Sequence, residues 1–348
     1  MKKIKLIAFI LIAILGFQAC DNSVQQNKEK QFFVNYGEIH GTYYNIRYEY
    51  TEDIQEDLLH VLDTVNQSLS TYIDTSIISR INKDEPNVEL DSLFTIVFNK
   101  GKDVYEKTDG AFDMTVAPVV NAWGFGYTDS IHVDSTIIDS LMRFVGFDKI
   151  RIENNYIVKD FPGIKLDGSA IAKGYSVDFV CYYLKSLGIK NFLVDIGGEV
   201  RAKGINNKGI IWRVGIDKPI FDTEVKDREL QEIINLKNRA IATSGNYRQY
   251  YERGGKIYSH TINPKTGYSA INEILSVSVL NEHCMTADAY ATAFMVLGLE
   301  RSKQIVENDS SLSAYIIYQD SLGEHKFWSS KNFFELIDKE STSQTKQQ

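Results

Sequence analysis

Asp288 and Thr292 stand four residues apart in "MTADAYATAFMVLG" (285–298), a run whose other residues are almost all apolar. On a helix, that spacing puts a carboxylate and a hydroxyl on one face, one turn apart. Two oxygens so placed suit a hard cation such as Mg²⁺, which takes oxygen ligands and keeps phosphate oxygens and waters in its shell. The same residues also read as helix-start chemistry, with Thr286 as N-cap, Asp288 facing the dipole and Thr292 bonding back to a carbonyl. Taken alone, the pair favours the capping reading.

Five other stretches interrupt core-like sequence with polar residues and glycines. In "LSTYIDTSIISRIN" (69–82), Tyr72 beside a turn could stack on a ligand ring or be an ordinary half-buried tyrosine. "TDGAFDMTVAPVVNAWGFG" (108–126) puts Gly124 and Gly126 among aromatics. They would allow either a planar ligand or a tight loop to come close. "LDGSAIAKGYSVDFV" (166–180) offers Asp167 and Ser169 as helix-start residues, with Lys173 following. A lysine there opposes the helix dipole unless a phosphate is bound near the same end or the side chain simply faces water. "VDIGGEV" (194–200) runs a strand into Gly197 and Gly198 but is not a GxGxxG fingerprint. The segment 240–270 groups Ser244 and His260 around a hairpin-like turn at Gly254–Gly255. His260 is its best candidate for proton handling, against a purely structural histidine.

These residues need a scaffold. "YYNIRYEY" (43–50) alternates as a strand, and Ile54, Leu58, Leu62, Val65 and Leu69 recur at helical spacing. Further helices are expected over Leu93–Lys107 and Ile171–Leu187, and strands at "NFLVDIGG", "IIWRVGID" and "ILSVSVL" (274–280), the last leading into the 285–298 helix. Such mixing implies an α/β fold of mixed α+β layers, one large domain over 35–338 with room for a smaller lobe. Residues 1–20 carry Lys2, Lys3 and Lys5 before an apolar run too short to span a membrane, then "FQAC". They read as a lipoprotein signal peptide with Cys20 as the lipidated residue, followed by a polar tether (21–34). Residues 339–348 read as a disordered tail. Removing 1–20 leaves 35 basic residues against 46 acidic ones, a mature charge of −11. So acidic a chain has no general attraction for nucleic acid. Cys181 and Cys284 alone imply neither a disulfide framework nor a zinc site.

In order and wording, "HGTYYNIRY", "GAFDMTVAPVVNAWGFG", "AIAKGYSVD", "IGGEVRAKG", "AIATSGNYR", "YSHTINPKTG" and "CMTADAYATA" closely resemble the ApbE-type family of FAD:protein FMN transferases, from residue 40 to 298. The resemblance implies an Mg²⁺-dependent transferase with FAD as substrate. FMN passes to a threonine or serine of an acceptor protein, and AMP is released. It implies a metal held by Asp288, Thr292 and the backbone carbonyl of Ala170. It implies FAD contacts from His40, Tyr72, Ala111, Phe112, Asp113, Asp167, Lys173, Gly197, Gly198, Ser244 and the segment His260 to Ile262, with His260 and Asp288 the catalytic candidates. His40 stands where the family carries methionine before Gly-Thr, and "LDGSA" departs from Leu-Asp-Leu-Gly-Ala. The implied partner is a subunit of a membrane redox complex bearing Asp-Gly-x-Ser/Thr-Gly-Ala-Ser/Thr, a motif this chain lacks. The expected location is periplasm-facing and lipid-anchored, with Asp21 after the cysteine pointing to the inner membrane. The alternatives are an FAD pyrophosphatase giving FMN and AMP, and a non-catalytic flavin-binding lipoprotein.

Overall fold

His40 and Gly41 form a two-residue turn with both φ angles positive, 54° and 69°. That geometry matches the twist of a hairpin, and it joins β1 (Gln31–Ile39) to β2 (Thr42–Tyr50) in antiparallel register. The structure, a computed structural model, describes residues 29–127, 133–219, 229–246, 250–253 and 256–339. Cys20, the 1–20 segment and the tail beyond Lys339 lie outside the described residues, as does the Gly254–Gly255 turn. Residues 31–34, assigned to the tether from sequence, belong to the sheet instead, because β1 pairs with β2 along its whole length.

The helices that follow are α1 (Gln55–Leu69), α2 (Ile77–Asn82), α3 (Ser92–Lys107), α4 (Ala117–Trp123) and α5 (Ser135–Met142). A small hairpin, β3 (Ile150–Glu153) and β4 (Tyr156–Lys159), leads to α6 (Ala172–Ser186). Next come β5 (Phe192–Ile196), β6 (Glu199–Lys203), β7 (Trp212–Asp217), β8 (Leu230–Leu236) and β9 (Ala240–Gly245). The chain then runs through β10 (Tyr250–Arg253), β11 (Lys256–Ser259), β12 (Ile274–Asn281), α7 (Cys284–Leu297) and α8 (Leu299–Asn308). It closes with β13 (Ser313–Gln319), β14 (His325–Ser329) and α9 (Lys331–Phe334).

Eight strands form the main sheet in the order β1-β2-β5-β6-β9-β12-β13-β14, and every neighbouring pair is antiparallel. The fold is therefore mixed α/β in α+β layers, as the sequence implied. Its central strands are buried on both faces. Ala242, Val277, Val279 and Ile316 point into the core shared with the helices. Their neighbours Ile241, Leu280, Tyr315 and Ile317 point into a second core, under the β7–β8 hairpin and α9. Period-two alternation thus serves two layers at once.

Helix α7 is apolar on nearly every side because it is a core helix. Ala287, Ala289, Ala291 and Ala293 are fully buried. A Cβ at Gly174 of α6 would fall 2.6 Å from the Cys284 carbonyl oxygen, so α6 and α7 meet almost backbone to backbone. The N-cap of α7 is His283, not Thr286, and no side chain of its own segment caps it. Instead Asp178 of α6 accepts from the amides of Cys284 and Met285, each at 3.0 Å, and pairs with the buried Arg201 of β6. Thr286 is not the cap because the helix starts at Cys284 and Thr286 lies inside its first turn, while the Asp178 carboxylate takes the first amides. Cys181 and Cys284 are buried free thiols.

Candidate active site

The cavity where α1, α6, α7 and the end of β9 converge has a volume of about 460 Å³, within the range of small-molecule sites. Its wall contains His40, Tyr72, Ala111, Phe112, Asp113, Asp167, Ala170, Lys173, Gly197, Ser244, His260, Ile262, Asp288 and Thr292. Of the site residues expected from sequence and described by the structure, only Gly198 stands outside that wall. Its amide is turned away to Asp195 Oδ1, at 3.0 Å.

The start of α6 and the middle of α7 meet at the cavity floor. Asp288 Oδ2 accepts from the Gly174 amide at 2.9 Å, satisfying one of the orphan N–H groups of α6. The carboxylate thus caps a neighbouring helix rather than its own. Burial pushes its proton affinity up, against the opposing pull of Lys173, and Glu199 pushes the same way as burial. One turn on, Thr292 Oγ1 lies 3.2 Å from Ser244 Oγ of β9, which brings two hydroxyls to the same wall.

Lys173 is the second residue of α6. Its Nζ lies 2.6 Å from Glu199 Oε1. Burial alone would lower its pKa, but Glu199 and Asp288 outweigh burial and hold the ammonium charged. The phosphate expected from sequence to relieve the dipole conflict thus has a protein counterpart already in place. Glu199 is the functional residue that sequence reasoning missed. The usable signal was its place directly after the glycine pair, where a turn fixes the next side chain. Asp167 and Ser169 do not start the helix. Asp167 Oδ1 accepts from the Ser169 amide at 2.8 Å in a local turn five residues before α6, and burial raises its pKa.

His40 presents an imidazole to the cavity wall. Its Nδ1 hydrogen-bonds Asn66 Oδ1 at 2.9 Å, and its buried Nε2 has no hydrogen-bond partner among the described residues. Burial lowers its pKa, the Asn66 bond opposes that, and the Lys173 charge adds to the lowering. The ring is therefore neutral at pH 7. His260 is half-buried, its ring edge-on to Phe125 with centroids 6.4 Å apart. Tyr72 is 76% exposed at the mouth, edge-on to Tyr127, so its face is open for stacking. Gly124 and Gly126 serve the loop and not the ligand. Gly124 ends α4 in the left-handed region, and a Cβ at Gly126 would strike Asn121 Oδ1.

The oxygen donors on this wall include the buried Asp288 carboxylate, the Thr292 and Ser244 hydroxyls and the backbone at Ala170. Among the described residues no cluster of three or more His, Cys, Asp or Glu could hold a metal. Such a set fits a hard cation that keeps most of its shell for phosphate and water. A lysine beside an oxygen-rich cradle, with an aromatic at the rim, has the chemistry to take a phosphate-bearing ligand with a planar ring.

Comparison with known proteins agrees with this class. The ApbE family model matches residues 40–316, and the chain belongs to that family. It is 41% identical over 283 residues to an FAD:protein FMN transferase of Vibrio cholerae, covering 78% of this chain and 83% of that one. It is 35% identical to an FAD:protein FMN transferase of Haemophilus influenzae, covering 85% and 89% respectively. The solved flavin transferase ApbE from Vibrio cholerae superposes with a TM-score of 0.79 at 36% identity, over 88% of this chain and 99% of that chain.

Proposed function

We propose that this protein is an FAD:protein FMN transferase. The observation that carries the reading is the convergence of residues from positions 40 to 292 on one cavity that pairs a lysine with an oxygen-rich cradle. In the proposed reaction the hydroxyl of an acceptor threonine or serine attacks the flavin-side phosphorus of FAD. A phosphoester bond to FMN forms, the bond to the bridging oxygen breaks, and AMP leaves.

Catalysis of this kind is mostly positioning and charge neutralisation. Lys173, fixed by Glu199, lies where it can face the pyrophosphate. Tyr72 offers a ring face at the rim, and Ala111 and Phe112 supply an apolar wall. His260 takes the proton of the attacking hydroxyl, a role worth about 10²–10⁴-fold in rate. Asp288, Thr292 and the Ala170 carbonyl are the groups that would hold Mg²⁺. When bound, Mg²⁺ neutralises charge on the phosphate oxygens. The proposal extends to an exported protein anchored through Cys20 and facing the periplasm, with a membrane redox-complex subunit as acceptor.

The test is incubation with FAD, Mg²⁺ and an acceptor bearing Asp-Gly-x-Ser/Thr-Gly-Ala-Ser/Thr, read by mass spectrometry. The expected result is an acceptor mass gain equal to FMN minus water with matching AMP release, and loss of both in Asp288→Ala. AMP release without any mass gain would make the protein a pyrophosphatase instead. Tight FAD binding with no turnover would make it a flavin carrier.

A further inference from the structure

Lys173 is poorly suited to its place on its own. A cation in the first turn of α6 opposes the helix dipole, and its four-carbon stem leaves the ammonium many rotamers. Glu199 answers both problems. Its Oε1 holds the ammonium at 2.6 Å, while its Oε2 is buried and, among the described residues, has no hydrogen-bond partner. Among the described residues the carboxylate's one hydrogen-bonded tie is therefore the lysine. What fixes Glu199 is backbone. Gly197 and Gly198 turn the chain at φ of 62° and 99°, and β6 starts at Glu199 itself. A Cβ at Gly197 would fall 2.8 Å from Thr42 Cγ2, so a larger residue would crowd the Thr42 side chain as well as strain this positive-φ turn.

We propose that Glu199 is a positioning residue, which aims the Lys173 ammonium at the pyrophosphate of the dinucleotide bound in this cavity. The inference rests on the FAD reading above. A buried carboxylate beside a polyphosphate repels it, so Glu199 helps binding only through the lysine it holds. The sign of its effect must then depend on whether Lys173 is present. A carboxylate acting directly on ligand, or serving only to hold the fold, would not show that reversal.

The experiment is a double-mutant cycle of Glu199→Ala and Lys173→Met, read as the FAD dissociation constant by flavin fluorescence, with EDTA present so that no turnover occurs. In the wild-type background, Glu199→Ala is expected to weaken FAD binding by about 5–10-fold, the entropy of one freed lysine side chain. In the Lys173→Met background, the same substitution is expected to tighten binding, because it removes an uncompensated negative charge. Glu199→Gln, equal in size, replaces Glu199→Ala if the latter does not fold, and carries the same signs with smaller factors. Weakening in both backgrounds, tightening in both, or no change in the wild-type background overturns the inference while leaving FAD binding intact. Wild-type protein that binds no FAD overturns the reading of the cavity and this inference together.

Discussion

Asp113 lines the cavity, yet both of its carboxylate oxygens are already engaged by the chain. Oδ1 accepts from the Thr115 amide and hydroxyl, at 2.8 and 2.6 Å, and Oδ2 from the Phe147 amide at 3.2 Å. Its role is to hold the wall that carries Ala111 and Phe112. Burial pushes its pKa up to about 6, against those hydrogen bonds. Because the folded state binds this proton more tightly than the unfolded chain, the stabilisation is complete below about pH 4 and is lost as the pH rises through 6. Asp113→Asn should abolish that slope while keeping one acceptor oxygen. Urea unfolding at pH 4.5 and 7.5 should show the wild type losing about 2 kcal/mol more than the variant over that span. An equal pH response of the two proteins would place the titration elsewhere. At this scale the sequence was readable where partners are close along the chain, as with Asp288 and Thr292 at one helical turn. It did not pair Glu199 with Lys173, which lies 26 residues away on a different element.

Helices α6 and α7 cap each other. Asp178 of α6 takes the first amides of α7, and Asp288 of α7 takes an early amide of α6. Residue 174 meets 288 while 178 meets 284, so these turns run antiparallel, and the two carboxylates lock the register of the helices that carry Lys173, Asp288 and Thr292. Asp178→Ala removes an acceptor from two buried amides and strands the buried Arg201 charge. It should lower the unfolding free energy by about 3–5 kcal/mol, several times the effect of Thr286→Ala, in urea titrations. Comparable effects of the two substitutions would return the cap to Thr286. The elements themselves were largely legible. The expected helices over 93–107 and 171–187 and the strand at 274–280 are found within one residue of their ends, because their apolar spacing is regular. The β3–β4 hairpin went unread, although Asn154 and Asn155 at its turn, with φ of 49° and 67°, are the residues such a turn favours. The reciprocal caps could not be read, since no local pattern says which carboxylate reaches which helix start.

The sheet order places β2 beside β5 and β6 beside β9, joining stretches of chain that nothing in the sequence announces as neighbours. Resemblance to a family could name the residues of the site; only this order explains why His40, Lys173, Ser244 and Asp288 share one cavity. The consequence is mechanical. A ligand filling the cavity touches the β1–β2 turn, α1, the 111–114 wall, α6, the end of β9 and α7 at once, so it bridges elements that lie far apart along the chain. Ligand that binds only the folded state stabilises it by mass action, about 2.7 kcal/mol at a hundredfold excess over the dissociation constant. For a domain of this size that corresponds to a rise in Tm of roughly 4 °C. Thermal unfolding followed by circular dichroism with EDTA present should show this rise with FAD. FMN or AMP alone should give smaller rises, each engaging only part of the wall. A Tm independent of FAD up to millimolar concentration would mean that the cavity does not take the dinucleotide, whatever its residues resemble.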